Sequence, residues 1–363
     1  MKVKIGWENA NFRIENNGRP VYGCFVFFFA CGKRQQRNVV SFDSSQQITM
    51  QGHALQGDSI LWSEGIVIMD SLLINLNDKM DTVFNVYRLS DFSFLGSCGV
   101  RGEGPDDISF FNSRSWGLFG HGLFYADMNK CNLGAIRFEK GKPIFFVEKR
   151  ITIPRPGAIN GMAVSIDTSV MYFSSYCQEN EFVRVNKEDP AHPVPIGVYP
   201  EYISGDIPAV NIMSVYLKRL SYNSQRRLYV ALYEYLPLLR VFDEQGRIIA
   251  ESILEGWESQ QFEAPYFFPA EDNIRCYLSV CSDENYIYGL YIGQKAPDLE
   301  EKGRENPLDV RFSVHVWDWE GRPVADLHPD RLLMKIAVQD GVLYGINTFV
   351  SDTVYTYKLD LHS

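Results

Sequence analysis

Gly65-Ile-Val-Ile-Met-Asp-Ser-Leu-Leu-Ile-Asn-Leu76 reads as two apolar strands folded back on each other at the polar pair Asp70-Ser71. Polar turn residues between apolar runs are the signature of a β-hairpin. A third strand, Thr82-Val-Phe-Asn-Val-Tyr87, and a fourth, Phe94-Leu-Gly-Ser97, complete the unit. The same hairpin returns at His121-Gly122, Asp167-Thr168-Ser169, Asn223-Ser224-Gln225, Asp283-Glu284-Asn285 and Asp340-Gly341. A period of roughly 50 residues, carried by short strands, marks radial repetition. The reading is an all-β fold, a six-bladed β-propeller.

The first strand of each unit sets the wall of the central channel. Those strands are read at Gly65–Met69, Trp116–Phe119, Gly161–Val164, Ser214–Leu217, Cys276–Val280 and Leu333–Val338. Third and fourth strands are joined by turns such as Lys140-Gly141-Lys142, Glu244-Gln-Gly-Arg247 and Glu320-Gly-Arg322. The sixth unit has only three strands before the chain stops at Ser363. Gln47-Ile-Thr-Met-Gln-Gly-His-Ala-Leu55 is the spare segment. It is expected to pair with Thr353–Tyr357, so that an N-terminal strand closes the last blade and removes an open edge.

Of 363 residues, 45% are hydrophobic and 14% aromatic, enough to fill the space between blades. The formal net charge is −10. A nucleic-acid binder needs a basic face to displace counterions, and no such run occurs, which excludes nucleic acid as a partner. Seven cysteines are present without a Cys-x-x-Cys. Cys276 and Cys281 lie five apart in one strand, so burial as small apolar residues is expected rather than a bridge between them.

Residues 21–31, Val-Tyr-Gly-Cys-Phe-Val-Phe-Phe-Phe-Ala-Cys, form a short apolar run after Arg13 and Arg19. That pattern suits a secretory leader and is too short to span a bilayer. Residues 1–30 are expected to be a leader, Cys31 the lipidated first residue of the mature chain, 31–46 a tether, and 47–363 the propeller. Membrane contact would be through the lipid anchor alone, in the bacterial envelope, periplasmic or surface-facing.

Gly99-Val-Arg-Gly-Glu-Gly-Pro-Asp-Asp107, after the outer strand of the first unit, resembles the Gly-x-x-Gly-x-Gly-Pro-x-acid stretch of TolB-like six-bladed propellers of Bacteroides and relatives. The strand Thr82–Tyr87 adds to the likeness. The resemblance implies the same fold over residues 39–363 and frequent lipidation. It carries no catalytic residues.

The glycine-rich segment lacks the Lys-Ser/Thr of a phosphate loop, and its acids repel phosphate. Glu103, Asp106 and Asp107 offer oxygens of the kind Ca²⁺ prefers, without EF-hand spacing. The six histidines have no zinc spacing. His315, Trp317 and Trp319 alternate on one strand and are expected to pack together. No Gly-x-Ser-x-Gly elbow occurs. Only Glu64 and Arg114 are read near inner-strand starts, with no comparable set in the other four blades.

In a propeller, connections between blades and turns between second and third strands emerge on one face. The long segments 99–115, 200–213, 256–275 and 294–311 all fall in that class. Long ordered loops on a rigid scaffold carry function. The expected function is a non-enzymatic, envelope-anchored binding or scaffold module for a protein, peptide or glycan. Trp257, Phe262 and Tyr266 are the expected contact aromatics, with Arg101 and Glu103 as polar contacts. The alternative is a propeller enzyme, lactonase-like or a glycan-acting hydrolase or lyase, with a metal at the central channel.

Overall fold

The computed structural model describes residues 15–16, 19–20, 38–58, 60, 63–77, 79–104, 107–127, 130–153, 162–173, 180–203, 212–257, 262–263, 268–269, 273–306, 309–349 and 353–361. The chain divides into two units, residues 1–36 and 37–363. In the first, Glu15–Asn16 and Arg19–Pro20 pair antiparallel. Cys31 and most of the expected leader lie outside the described residues.

The second unit is the six-bladed propeller. From its inner strand outward, each blade pairs consecutive strands of the chain antiparallel, and blades four, five and six each end on a strand from the N-terminal segment. The inner strands are Ser63–Met69, Phe111–Phe119, Met162–Ser165, Lys218–Asn223, Ile274–Ser282 and Lys335–Gln339. They neighbour one another in a ring, the last beside the first.

Second strands such as Leu72–Asn77 and Leu228–Tyr233 are apolar almost throughout and buried along nearly their whole length. Adjacent blades cover both faces of these strands, so strict alternation of polar and apolar residues is not required. Aromatic rings fill the wedges between blades. Phe84 packs against Phe111, Trp116, Tyr125 and Phe145 between the first and second blades. Tyr229 stacks on Phe242 at 4.9 Å between the third and fourth, with Phe182 edge-on at 5.3 Å from Phe242. The expected packing at His315 and Trp317 is present: both are buried, and Phe42 lies 4.4 Å from the imidazole and 5.0 Å from the indole. Trp319 is also buried. The described cysteines, Cys98, Cys131, Cys276 and Cys281, are free.

One inner strand differs from expectation. The sequence places Ser214–Leu217 in the wall of the fourth blade, but Ile212–Val215 is a helical turn and the inner strand begins at Lys218. The apolar run of Ile212, Val215 and Tyr216 instead plugs the core between the third and fourth blades.

Closure is more distributed than the sequence indicated. His53–Ala54 pair antiparallel with Val354–Lys358, and the Leu55 N–H donates to the Val354 carbonyl at 2.8 Å. Gln47–Met50, expected on the same blade, pair in parallel with Pro323–Pro329 as a fifth strand of blade five. Asn38–Val40, expected in a tether, pair in parallel with the outer strand Ile248–Leu254 of blade four. The segment 38–55 thus adds one short strand to each of three consecutive rims. Gln46 and Gly52 fasten it between them, donating to the Pro323 carbonyl at 2.8 Å and to Asp330 Oδ1 at 2.9 Å. Each addition hides an outer edge that would otherwise template pairing with another chain.

Two third-to-fourth-strand turns share one construction. In Asp243-Glu-Gln-Gly-Arg247 and Asp318-Trp-Glu-Gly-Arg322, the aspartate accepts from two backbone N–H groups of the turn and from the arginine Nε. Gly246 and Gly321 have φ of +77° and +80°, a conformation in which a Cβ is strained.

Candidate functional site

The inner strands start on the face that also carries the long connections. Glu64, Arg114, Arg219, Arg275 and Lys335 all lie at or near those starts. Glu234 follows directly on the second strand Leu228–Tyr233 of blade four and so reaches the same end. Its carboxylate is 1% exposed and receives Arg114 at 3.7 Å, Arg219 at 3.6 Å and Arg275 in direct contact. Arg275 also lies over the Tyr235 ring at 5.0 Å. Three guanidinium groups from blades two, four and five therefore share one buried acid.

Below this mouth lies a cavity of about 150 Å³ within the channel, lined by Glu64, Arg114, Trp116, Arg219 and Lys335 among others. Among the described residues, the charged side chains that line it are Glu64, Arg114, Arg219 and Lys335. Burial pushes the Lys335 ammonium down to about 7, and Arg219 and Arg114 push it the same way against the pull of Glu64. Burial likewise lowers Arg219, with Arg114 adding to the effect. The Arg219 Nε is buried with no hydrogen-bond partner among the described residues. Like charges held together in a poorly solvated pocket are the usual cause of such depressed values. The expectation that only Glu64 and Arg114 occupy the inner-strand starts is therefore corrected. Arg219 joins them because the wall of blade four begins at Lys218 rather than Ser214, Arg275 because that of blade five begins at Ile274 rather than Cys276, and Lys335 because it opens the strand expected to start at Leu333.

A second charged group lies entirely within the protein, between blades three and four. Glu181 and Lys218 are fully buried and Arg240 is nearly so. Lys218 Nζ donates to Glu181 Oε1 at 2.5 Å, Arg240 Nη1 to Glu181 Oε2 at 2.8 Å, and Tyr233 OH also to Glu181. Arg240 Nε reaches Glu251 at 2.6 Å, and Tyr202 OH donates to Glu251 at 2.9 Å. Burial alone would raise the Glu181 carboxyl, but Lys218 and Arg240 beside it hold it below the ordinary carboxylate range. Every charge in this group has a partner, so it fixes the blades rather than offering a site.

The model of the family described as TolB-like 6-blade propeller-like matches residues 46–341. The chain belongs to this family. No curated protein matches it. Among solved structures, this TolB-like propeller is similar to a candidate exported protein of Bacteroides fragilis, at 11% identity and a TM-score of 0.54, covering 89% of this chain and 98% of that one. It is also similar to a member of the DUF4221 family from Bacteroides vulgatus, at 12% identity and a TM-score of 0.53, covering 85% and 95%. At these identities the likeness concerns the fold.

Of the expected contact residues of this TolB-like chain, Arg101, Glu103 and Trp257 are described with their side chains, and none of these three lines the channel cavity. Arg101 is committed to the neighbouring connection between the second and third strands of blade one: Nε donates to the Met80 carbonyl and Nη2 to the Asn77 carbonyl, both at 3.0 Å. Asp107 turns back onto the Gly104 N–H at 2.9 Å, which closes the glycine-rich loop on itself. Glu103 is exposed on that loop, and Asp106 lies outside the described residues. Trp257 is half-buried, packs against the core between blades three and four, and meets Tyr202 edge-on at 5.9 Å. Phe262 lies in a two-residue strand, Phe262–Glu263, paired with Phe268–Pro269. Tyr266 lies outside the described residues.

Among the described residues, the carboxylates at the channel mouth are Glu64 and Glu234; Glu234 is already shared by three guanidinium groups, and the cations around it oppose a divalent ion of the kind the enzyme alternative needs. Among the described residues, no group of three or more His, Cys, Asp or Glu side chains converges.

Proposed function

We propose that this propeller is an exported, envelope-associated binding or scaffold module that presents its long-loop face to a protein, peptide or glycan. The observation that carries the reading is topological. The strands that border 101–110, 197–217 and 255–273 have those ends on one face, which also carries the helix Ala296–Glu305 and the cationic channel mouth. The opposite face is made of tight turns such as Asp70-Ser71 and Asp340-Gly341. Rigid strands with long loops on one side are a common way to build a recognition surface.

Lipidation at Cys31 would hold the module at a membrane. The candidate exported protein of Bacteroides fragilis shares the propeller fold. Trp257, Phe262 and Tyr266 are the proposed aromatic contributors to the surface, and Glu103 its exposed acid. Arg101 acts by holding the loop that carries Glu103.

A photo-crosslinking residue placed at Glu103, on the long-loop face, or at Glu320, on the tight-turn face, tests this in the full chain. Crosslinks to envelope components from Glu103 and not from Glu320 are expected. Crosslinks confined to Glu320 would refute the choice of face.

A further inference from the structure

Lys335 is the first residue of the inner strand of blade six, half-buried, and it lines the channel cavity. Among the described residues, no hydrogen bond or ion pair reaches its ammonium. The charged groups along the same cavity are Glu64 from blade one, Arg114 from blade two and Arg219 from blade four, with Tyr222 and Cys281 as further titratable side chains. Arg275 and Glu234 stand at the rim above. Burial, Arg219 and Arg114 all disfavour a charge on Lys335, against the pull of Glu64. Desolvation beside another cation is how proteins turn a lysine into a nucleophile near neutral pH. The partner such an amine takes is a carbonyl carbon.

The cavity wall narrows the reactant. Ser113, Ser221, Ser279 and Ser282 line it. The Ser221 and Ser282 hydroxyls meet at 2.8 Å, and Ser279 Oγ accepts from the Ile336 N–H at 3.2 Å. A hydroxyl has one donor and two acceptor sites, so each of these three keeps capacity for a further bond. Such a wall suits a hydroxylated molecule, and a volume of about 150 Å³ admits only a short one.

We propose that Lys335 captures a short hydroxyaldehyde reversibly as an imine. The amine lone pair adds to the carbonyl carbon, the C=O π pair moves onto oxygen, and one proton passes from nitrogen to that oxygen. The nitrogen lone pair then expels the oxygen as water, taking the second nitrogen proton with it. Amine and aldehyde thus give imine and water with no oxidant or reductant, and hydrolysis returns both. This capture stands independently of the macromolecular docking proposed above.

Glycolaldehyde is the probe, added to the full chain with cyanoborohydride, which reduces an imine where it forms. Modified lysines are mapped by peptide mass spectrometry at short times. At pH 7, labelling of Lys335 is expected to be about tenfold faster or more than that of the exposed Lys140. Its rate should saturate with glycolaldehyde, and its advantage should shrink at pH 10, where ordinary lysines also lose their protons. Acetaldehyde, which lacks the hydroxyl, should label Lys335 more slowly. Lys335→Arg should abolish the saturable labelling and leave that of Lys140 unchanged. Equal rates at Lys335 and Lys140 at pH 7 would overturn the proposal. So would a Lys335 rate that rises linearly without saturating, or one that is as fast with acetaldehyde. The rates on the unaltered chain decide the matter even if the variant folds poorly.

Discussion

Lys335 is a lysine held where its charge is disfavoured, and that has a thermodynamic sign. Between about pH 7 and the ordinary lysine range, the unfolded chain keeps a proton that the folded chain has lost. Stability from this group therefore rises with pH across that window and is least below it. Lys335→Met should gain on the parent protein in urea unfolding at pH 6.5, and the gain should shrink at pH 9.5. Glu181 is the opposite case, a buried acid whose partners need it. Glu181→Ala takes a buried carboxylate away from both Lys218 and Arg240, of which Arg240 keeps Glu251, and should cost about 3–5 kcal/mol in the same measurement. Neither residue announces itself in the sequence. Lys218-Arg219 reads as an ordinary polar pair after an apolar run. Only the start of the strand at Lys218 sends Lys218 into the seam between blades and Arg219 to the channel mouth.

At the level of elements, the hairpins were legible because turn chemistry is local. Asp-x-x-Gly-Arg in blades four and five fixes its turn with bonds made inside five residues. The strands added by residues 38–50 were not legible, since a three- or four-residue strand on an outer rim carries no pattern of its own. Their partners lie more than 200 residues away. Removing residues up to Gly52 should lower the melting temperature, and extending the removal through Leu55 should lower it further, because blade six then loses its fourth strand. Gly134 offers a sharper test. It sits at a register shift in blade two, where a Cβ would meet the Phe146 carbonyl oxygen at 2.2 Å. Gly134→Ala should cost roughly 2 kcal/mol or more by overpacking against backbone. Gly141→Ala, in the adjacent turn with open space around it, should cost less, and chemical denaturation of the two variants compares them.

For the whole molecule, repetition made the architecture readable and concealed the site. Six similar units specify a ring, so strand order and the two kinds of face follow from counting. A channel mouth, by contrast, gathers single residues from different blades, such as Glu64, Arg114, Glu234 and Lys335, with no spacing that links them in the chain.

The strap of residues 38–55 crosses the rims of blades four, five and six before the chain enters the ring. Tension applied upstream of Asn38 would therefore meet three small attachments in series. The three-residue pairing on blade four would yield first, then the four-residue pairing on blade five, and last the seal at His53–Ala54. A protein tugged from its N-terminus would lengthen in steps while the ring stayed shut. Single-molecule stretching from that end should record two minor extensions ahead of the major rupture.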